Sequence, residues 1–311
     1  MNEQNEPFIQ ESDYNDIPPR TNYDTIFSFL GIQLNYIPST KKYYLNHWEI
    51  HLFYPISVLY VIFSSYIVIL KCIYPNVDWL NRKILIPLTI FMILFSYSYL
   101  SVILVGPGYL PYYYPMRFNG DKDNDYLSGI VTTKEQQNYL QKKKYPTRVR
   151  YFRSVQRLVI RPDHLCAWVS SFIGKKNHKL FFLFNMWGVL YISLFNYCII
   201  RGFFTIVVLL QTENRIILFI IVIIYIILGL SFLFLTGNFT QQNIRHISEN
   251  RTQLEIMKGE NPNQYRKDSI ISNWEEVFGS IKQWYLWLIP IPAFYKLDDY
   301  SLSIEDFRFK N

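Results

Sequence analysis

Four long apolar runs divide the chain, and the stretches between them are polar, aromatic or charged. The first runs from His51 to Leu70 and is closed by Lys71; the second runs from Ile84 to Val105 behind Arg82 and Lys83. The third covers Leu180 to Ile200, and the fourth, almost purely Ile, Leu and Phe, covers Ile216 to Leu235. Each approaches the roughly 20 residues a helix needs to cross a bilayer. Pro55 and Pro87 lie near the starts of the first two runs, where a missing backbone donor costs least. The pattern predicts an all-α integral membrane protein, with four transmembrane helices and a cytosolic loop domain between helices 2 and 3. The apolar piece Phe203 to Leu210, behind Arg201-Gly202, is too short to cross and predicts an interfacial segment or an extension of the third helix.

The organisation that follows is a polar tail over 1–50, a transmembrane hairpin over 51–105 (spans 51–70 and 84–105), and a loop domain over 106–179. Helices 3 and 4 then fill 180–236, and a C-terminal segment fills 237–311. The tail has several acids, Pro18, Pro19 and Pro38, and no sustained periodicity, which predicts no core of its own. Its one apolar patch, Ile26 to Leu34, suits a membrane surface or a partner. Gly106-Pro107-Gly108-Tyr109-Leu110-Pro111 cannot continue a helix and turns the chain along the surface. Near the other end, the run Trp284 to Pro290 suits the headgroup boundary.

Composition sharpens this picture at two points. The net charge is +7, and Lys and Arg outnumber acids after Lys134, so the positive-inside rule places the loop and both termini in the cytosol. The run Lys142-Lys143-Lys144 reads equally as a solvated face beside anionic headgroups or as a ligand contact. The partner implied by the basic excess is the lipid bilayer; no nucleic acid is implied. Three cysteines are too few for a disulfide framework or a four-cysteine zinc site. The spans hold almost no ionisable residue, which argues against a transporter or channel.

The candidate chemistry sits in the loop. Asp163, His164 and Cys166 fall at i, i+1 and i+3, so an acid, an imidazole and a thiol can meet within one turn of backbone. This is the minimum set for thiol catalysis, in which the carboxylate orients the imidazole and the imidazole activates the thiol. Arg153, Arg157, Arg161, Lys175 and Lys176 lie nearby and suit a phosphorylated leaving group. The same spacing also fits a chance neighbourhood of one Cys and one His.

Taken together, these stretches resemble the DHHC protein S-acyltransferases, four-span enzymes that acylate cysteine thiols from acyl-coenzyme A. Asp163-His164-Leu165-Cys166-Ala167-Trp168 resembles the signature Asp-His-His-Cys-Pro-Trp, and Pro146 and Arg148 fall on a Lys-Pro-x-Arg motif. Gly106-Pro107-Gly108 resembles Asp-Pro-Gly with Gly106 in place of Asp. Asn250, Thr252 and Glu255 resemble a Thr-Thr-x-Glu motif, and Asn273 resembles a bracing Asn in a C-terminal motif. The resemblance implies Asp163, His164 and Cys166 as catalytic, Trp168, Asn250, Thr252, Glu255 and Asn273 as supporting, and Arg161, Lys175 and Lys176 as contacts for acyl-coenzyme A. It implies an endomembrane or plasma-membrane location, with an organelle membrane complex as the other setting.

The departures from the family are equally specific. Its two zinc ions are held by Cys and His side chains at positions that here carry Asn138, Gln141, Tyr151, Phe152, Val155, Leu158, Leu165 and Phe172. None of these is a usual zinc ligand, so no metal is expected. A hydrophobic cluster is expected instead, with Phe152, Val155, Leu158 and Phe172 mutually buried, each contributing about 1.5–3 kcal/mol against roughly 10 kcal/mol or more from a structural zinc. Two readings follow. The first is an active, zinc-independent acyltransferase passing an acyl group through Cys166 to substrate proteins; the second is a catalytically inactive DHHC-derived pseudoenzyme serving as a subunit of a larger membrane complex.

Overall fold

The computed structural model describes residues 16–116, 126–209, 215–295 and 302. Among these residues, four helices are long and apolar enough to cross a membrane: Phe53–Ile73, Arg82–Val105, His178–Phe204 and Ile216–Ser248. The first comprises α1 (Phe53–Val68) and one wider turn, Ile69–Ile73; the second is α2 (Arg82–Val105), whose start is capped by the Asn81 side chain accepting from the Lys83 amide at 3.0 Å. The others lie within α4 (His178–Leu209) and α5 (Arg215–Ser248). Helix α4 packs between α2 and α5, and Gly229 lets α5 approach it closely: a Cβ there would fall 2.1 Å from Asn196 Oδ1. Only 11% of the apolar window of α5 is buried, against 56% for the third span, so α5 faces outward, where lipid surrounds a four-span protein. The short apolar piece beyond Gly202 continues α4 as far as Leu209; Leu210 lies outside the described residues.

The expectation of an all-α fold is corrected by three antiparallel sheets among the described residues. Strands β1 (Asp24–Phe29), β2 (Ile32–Ile37), β3 (Lys42–Leu45) and β4 (Trp48–Glu49) form a meander in order β1-β2-β3-β4. In the loop, β5 (Tyr109–Leu110), β6 (Val149–Phe152) and β7 (Arg157–Ile160) pair in order β5-β7-β6, and β8 (His164–Cys166) pairs with β9 (Ser171–Ile173). Among the described residues no strand exceeds six residues, too short for an alternating pattern to stand out, and several are Tyr-rich segments that suit a half-buried pleated surface. The first sheet occupies part of the stretch where polar composition predicts a tail without a core. It acquires a core by docking: Ile37 and Tyr44 are buried with Leu127 and Ile130 from the loop. Residues 1–15 lie outside the described residues.

The loop has its own apolar centre, built from Leu110, Tyr112, Tyr139, Leu140, Val149 and Leu158. One helix of this region, α3 (Lys134–Lys142), starts with a capping box between Thr133 and Gln136. Beyond α5, the chain folds back under the loop as α6 (Gln253–Met257) and α7 (Ile270–Phe278). Trp284, Tyr285, Leu288 and Ile289 then present exposed apolar surface, while Trp287 packs on Phe278 with ring centroids 5.3 Å apart.

Candidate functional site

Strand β8 presents the candidate residues. The Arg161 backbone takes a positive φ of 45°, Pro162 follows, and the Asp163 amide donates to the Ile173 carbonyl at 2.7 Å, which starts the β8–β9 ladder. Pairing of His164 with Ile173, Leu165 with Phe172 and Cys166 with Ser171 turns Leu165 outward, 52% exposed, and Cys166 inward, 7% exposed. His164 Nδ1 lies 2.7 Å from Asp163 Oδ2, and the ring packs edge-on against Phe181 with centroids 5.0 Å apart. Cys166 is one of the buried residues of the large apolar cluster formed by the spans.

Asp163 has a second set of partners. Its Oδ1 accepts from the Gln253 amide at 2.9 Å, and its backbone carbonyl accepts from the Leu254 amide at 3.0 Å, so one residue closes the first turn of α6. Thr252 and Glu255 form a capping box on that helix. Burial opposes ionisation of Asp163, but the neighbouring His178 and the hydrogen bonds from His164 and Gln253 hold its carboxyl well below the usual carboxylate range. His164 moves the other way. Burial works against its protonation, but the hydrogen bonds to Asp163 and Cys166 outweigh it and raise its pKa to about 9.

These shifts carry a sign. Because the His164 value is raised above 6.5, its contribution to stability is fully present below pH 6.5 and is lost as pH rises through about 9. The depressed Asp163 value contributes above its ordinary 3.8 and is lost on acidification. Unfolding of wild type and His164→Gln, compared from pH 6 to pH 10, should show a stability gap that narrows toward and above about pH 9. A gap that widens with pH would contradict the assignment.

Of the basic residues near the trio, Arg153 is exposed, while Arg157, Arg161 and Lys175 are buried inside the fold. Arg161 is 2% exposed and donates to His178 Nδ1 at 2.9 Å and to Asn250 Oδ1 at 3.2 Å. Burial, with Arg148 close by, lowers its pKa to about 10. His178 Nε2 in turn lies 3.0 Å from Asn243 Oδ1, so the imidazole accepts from Arg161 on one nitrogen and donates from the other. Lys175 pairs with Glu276, which also meets Lys267, and burial brings the Lys175 pKa down to about 8. Lys176 is half-buried, with its amide donating to the Pro107 carbonyl at 3.0 Å.

The supporting residues are spread around this centre. Asn250 accepts from both Arg148 and Arg161 and donates to the Tyr265 carbonyl at 2.7 Å, and Asn273 donates to the Ser248 carbonyl at 2.7 Å. Trp168 is 39% exposed, its carbonyl accepts from the Tyr99 hydroxyl at 2.7 Å, and its side chain lines an apolar cavity between the spans with Ile62, Phe95, Phe184, Phe232 and Phe239. Cys166 is not among the residues that line that cavity. His178, Asn243 and Glu276 carry no signal in the sequence, since each stands beside other polar residues: Asn177 and Lys179, Gln241 and Gln242, and Glu275.

The positions inferred for zinc do not fit the ion. Asn138 and Gln141 sit on α3, Tyr151 and Phe152 on β6, Leu158 on β7, Leu165 on β8 and Phe172 on β9. Among the described residues no group of three or more His, Cys, Asp or Glu side chains can hold a metal. The rings of Phe152 and Phe172 meet at 4.3 Å and tie β6 to β9. The expected four-residue cluster is not formed as such: Leu158 turns to the other face and is buried with Leu110 and Tyr112, because β7 places it opposite Tyr151.

Residues 132–260 match the sequence profile described as DHHC palmitoyltransferase. The chain is similar to probable protein S-acyltransferase 12 of Arabidopsis thaliana, 24% identical over 227 residues that cover 70% of this chain and 76% of the relative. It is also similar to palmitoyltransferase ZDHHC7 of Rattus norvegicus, 25% identical over 249 residues covering 76% of each. Palmitoyltransferase AKR1 of Debaryomyces hansenii is 32% identical over 119 residues, which cover 37% of this chain but only 14% of that much longer protein.

Proposed function

For a chain that belongs by homology to the DHHC family, we propose a non-catalytic role: a DHHC-derived pseudoenzyme that serves as a structural subunit of a larger membrane complex. The observation that carries this reading is the absence of any metal-holding cluster among the described residues, with amide, aromatic and aliphatic side chains at the positions inferred for the ligands. It corrects the reading of an active acyltransferase. That reading rested on the survival of Asp163, His164 and Cys166, and each survivor has a structural occupation. Asp163 closes the first turn of α6, His164 is its half-buried counter-ion, and Cys166, hydrogen-bonded to His164, is packed among the apolar residues of the spans. Arg161 and Lys175, expected to meet acyl-coenzyme A, support the reading by their engagement with His178, Asn250 and Glu276. On this proposal acyl-coenzyme A is not a substrate. The loop and both termini face the cytosol, the side its basic excess selects.

The test uses the full chain in nanodiscs with palmitoyl-coenzyme A and an acceptor peptide containing cysteine. No hydroxylamine-sensitive label should reach the peptide, and the protein drawn from its native membrane should bring a fixed set of other subunits with it. Transfer to the peptide that disappears in Cys166→Ser would overturn the proposal, as would a chain that leaves the membrane alone.

A further inference from the structure

We propose that the tip of the β1–β2 hairpin is a lipid anchor, with Phe27, Phe29, Leu30 and Ile32 seated in the bilayer surface on the side that carries the loop. The argument begins with register. Phe27 lies opposite Leu34, Leu34 opposite Leu45, and Leu45 opposite Trp48, so one row crosses all four strands on a single face of the sheet. Trp48, 5% exposed, belongs to the apolar cluster of the membrane spans, and Leu45 packs against that cluster. The inner half of this face is therefore already on the helices. Its outer half is bare: Phe27 is 53% exposed, Phe29 61% and Ile32 42%.

The direction of the strands places that bare half at the membrane. Leu30 and Gly31 make the turn with φ of 48° and 79°, and Leu30 projects at 86% exposure. This turn lies at the same end of the sheet as the turn between β3 and β4: the Gln33 amide donates to Asn46 Oδ1 at 2.8 Å, and the Asn46 amide donates to the Gln33 carbonyl at 2.7 Å. Next to Asn46, His47 meets the end of α2, with Nε2 2.8 Å from the Ile103 carbonyl. Polarity separates along and across the ribbon. At the opposite end Lys42 pairs with Glu49 at 2.9 Å, and behind the phenylalanines the ladder pairs Ser28 with Gln33. The chain leaves β4 and reaches α1 within a few residues, where Leu52, Phe53 and Tyr54 are exposed as the start of a span. The bare face continues the surface that lipid covers, and an amphipathic element with aromatic tips is the chemistry that seats in such a boundary.

The experiment places a benzophenone side chain at position 29, 28 or 63 in three versions of the full chain, each in phosphatidylcholine nanodiscs holding one copy. Phe63, 47% exposed in the middle of α1, is the lipid-facing control. Irradiation should give lipid adducts at position 29 approaching those at position 63 and several-fold above those at Ser28. Lipid capture at 63 with none at 29 above the level at 28 would overturn the anchor. So would capture at 29 of a second polypeptide purified with the chain, which would assign the face to a protein partner.

Discussion

Arg148→Ala is expected to destabilise the loop by about 3–5 kcal/mol, the range for removing one partner of a buried ion pair. The Arg148 fork donates to both oxygens of Glu255 at 2.9 and 3.0 Å, and the two side chains are only 11% and 7% exposed. It also donates to the Asn250 side chain at 3.1 Å and carbonyl at 3.2 Å, and it covers the Tyr265 ring at 4.2 Å. Removing it leaves a carboxylate in a buried place with the Thr252 amide as its remaining hydrogen-bond donor among the described residues and the Arg161 charge farther off. Hydrogen exchange of the full chain in nanodiscs should show the α6 and β8 amides opening roughly a hundred- to several-thousand-fold more readily. Arg148→Lys should recover part of the loss, since it returns the charge without the fork. Arg245→Ala, which removes an exposed pair with Glu249, should change stability by no more than about 1 kcal/mol.

Gly106→Asp, the substitution that completes the Asp-Pro-Gly motif this turn resembles, should be harmful here. Gly106 has φ of 73° and ψ of 173°, a backbone region that glycine alone enters readily, and strain for another residue costs about 1–3 kcal/mol. A Cβ would also lie 2.5 Å from His47 Cε1 and Nε2. His47 is buried, and burial together with the nearby Arg157 lowers its pKa to about 3, so the ring stays neutral and donates from Nε2 to the Ile103 carbonyl. The new side chain must expel it, and with it the β3–β4 turn. Trypsin should then cut at Lys41 and Lys42 far faster than in the wild type. Adding His47→Ala should restore part of the protection, because the two losses share one site and cannot be additive. Equal cleavage in the single and double variants would show that the clash is not the cause.

The positions of the four long helices were legible in the hydropathy alone, whereas the contact between Asp163 and His164 depends on the bend at Arg161-Pro162, because successive side chains along a strand point to opposite faces. The sheets were not legible either. Strands such as Lys42–Leu45 or His164–Cys166 are too short to display a period, and the partners that bury them are distant in the chain. The basic residues illustrate a second limit. A lysine in a basic loop reads as solvated or free to bind anions, and Lys175 is neither, because its counter-ion Glu276 arrives 101 residues later. Gly106 was legible as a departure from the motif this turn resembles, but its cause, His47, stands in a stretch that composition marks as structureless.

Asp163 joins two regions that the linear sequence keeps 90 residues apart. Its carboxylate cannot release the first turn of α6 without giving up the Gln253 amide, one of the hydrogen bonds that keep it ionised in a buried place. The segment after the last span is therefore a clasp, and the loop is the strap it fastens. Cutting the chain after Ser248 would do more than shorten it: the β8 corner would lose its buckle, and any subunit docked on either piece would feel the other come loose.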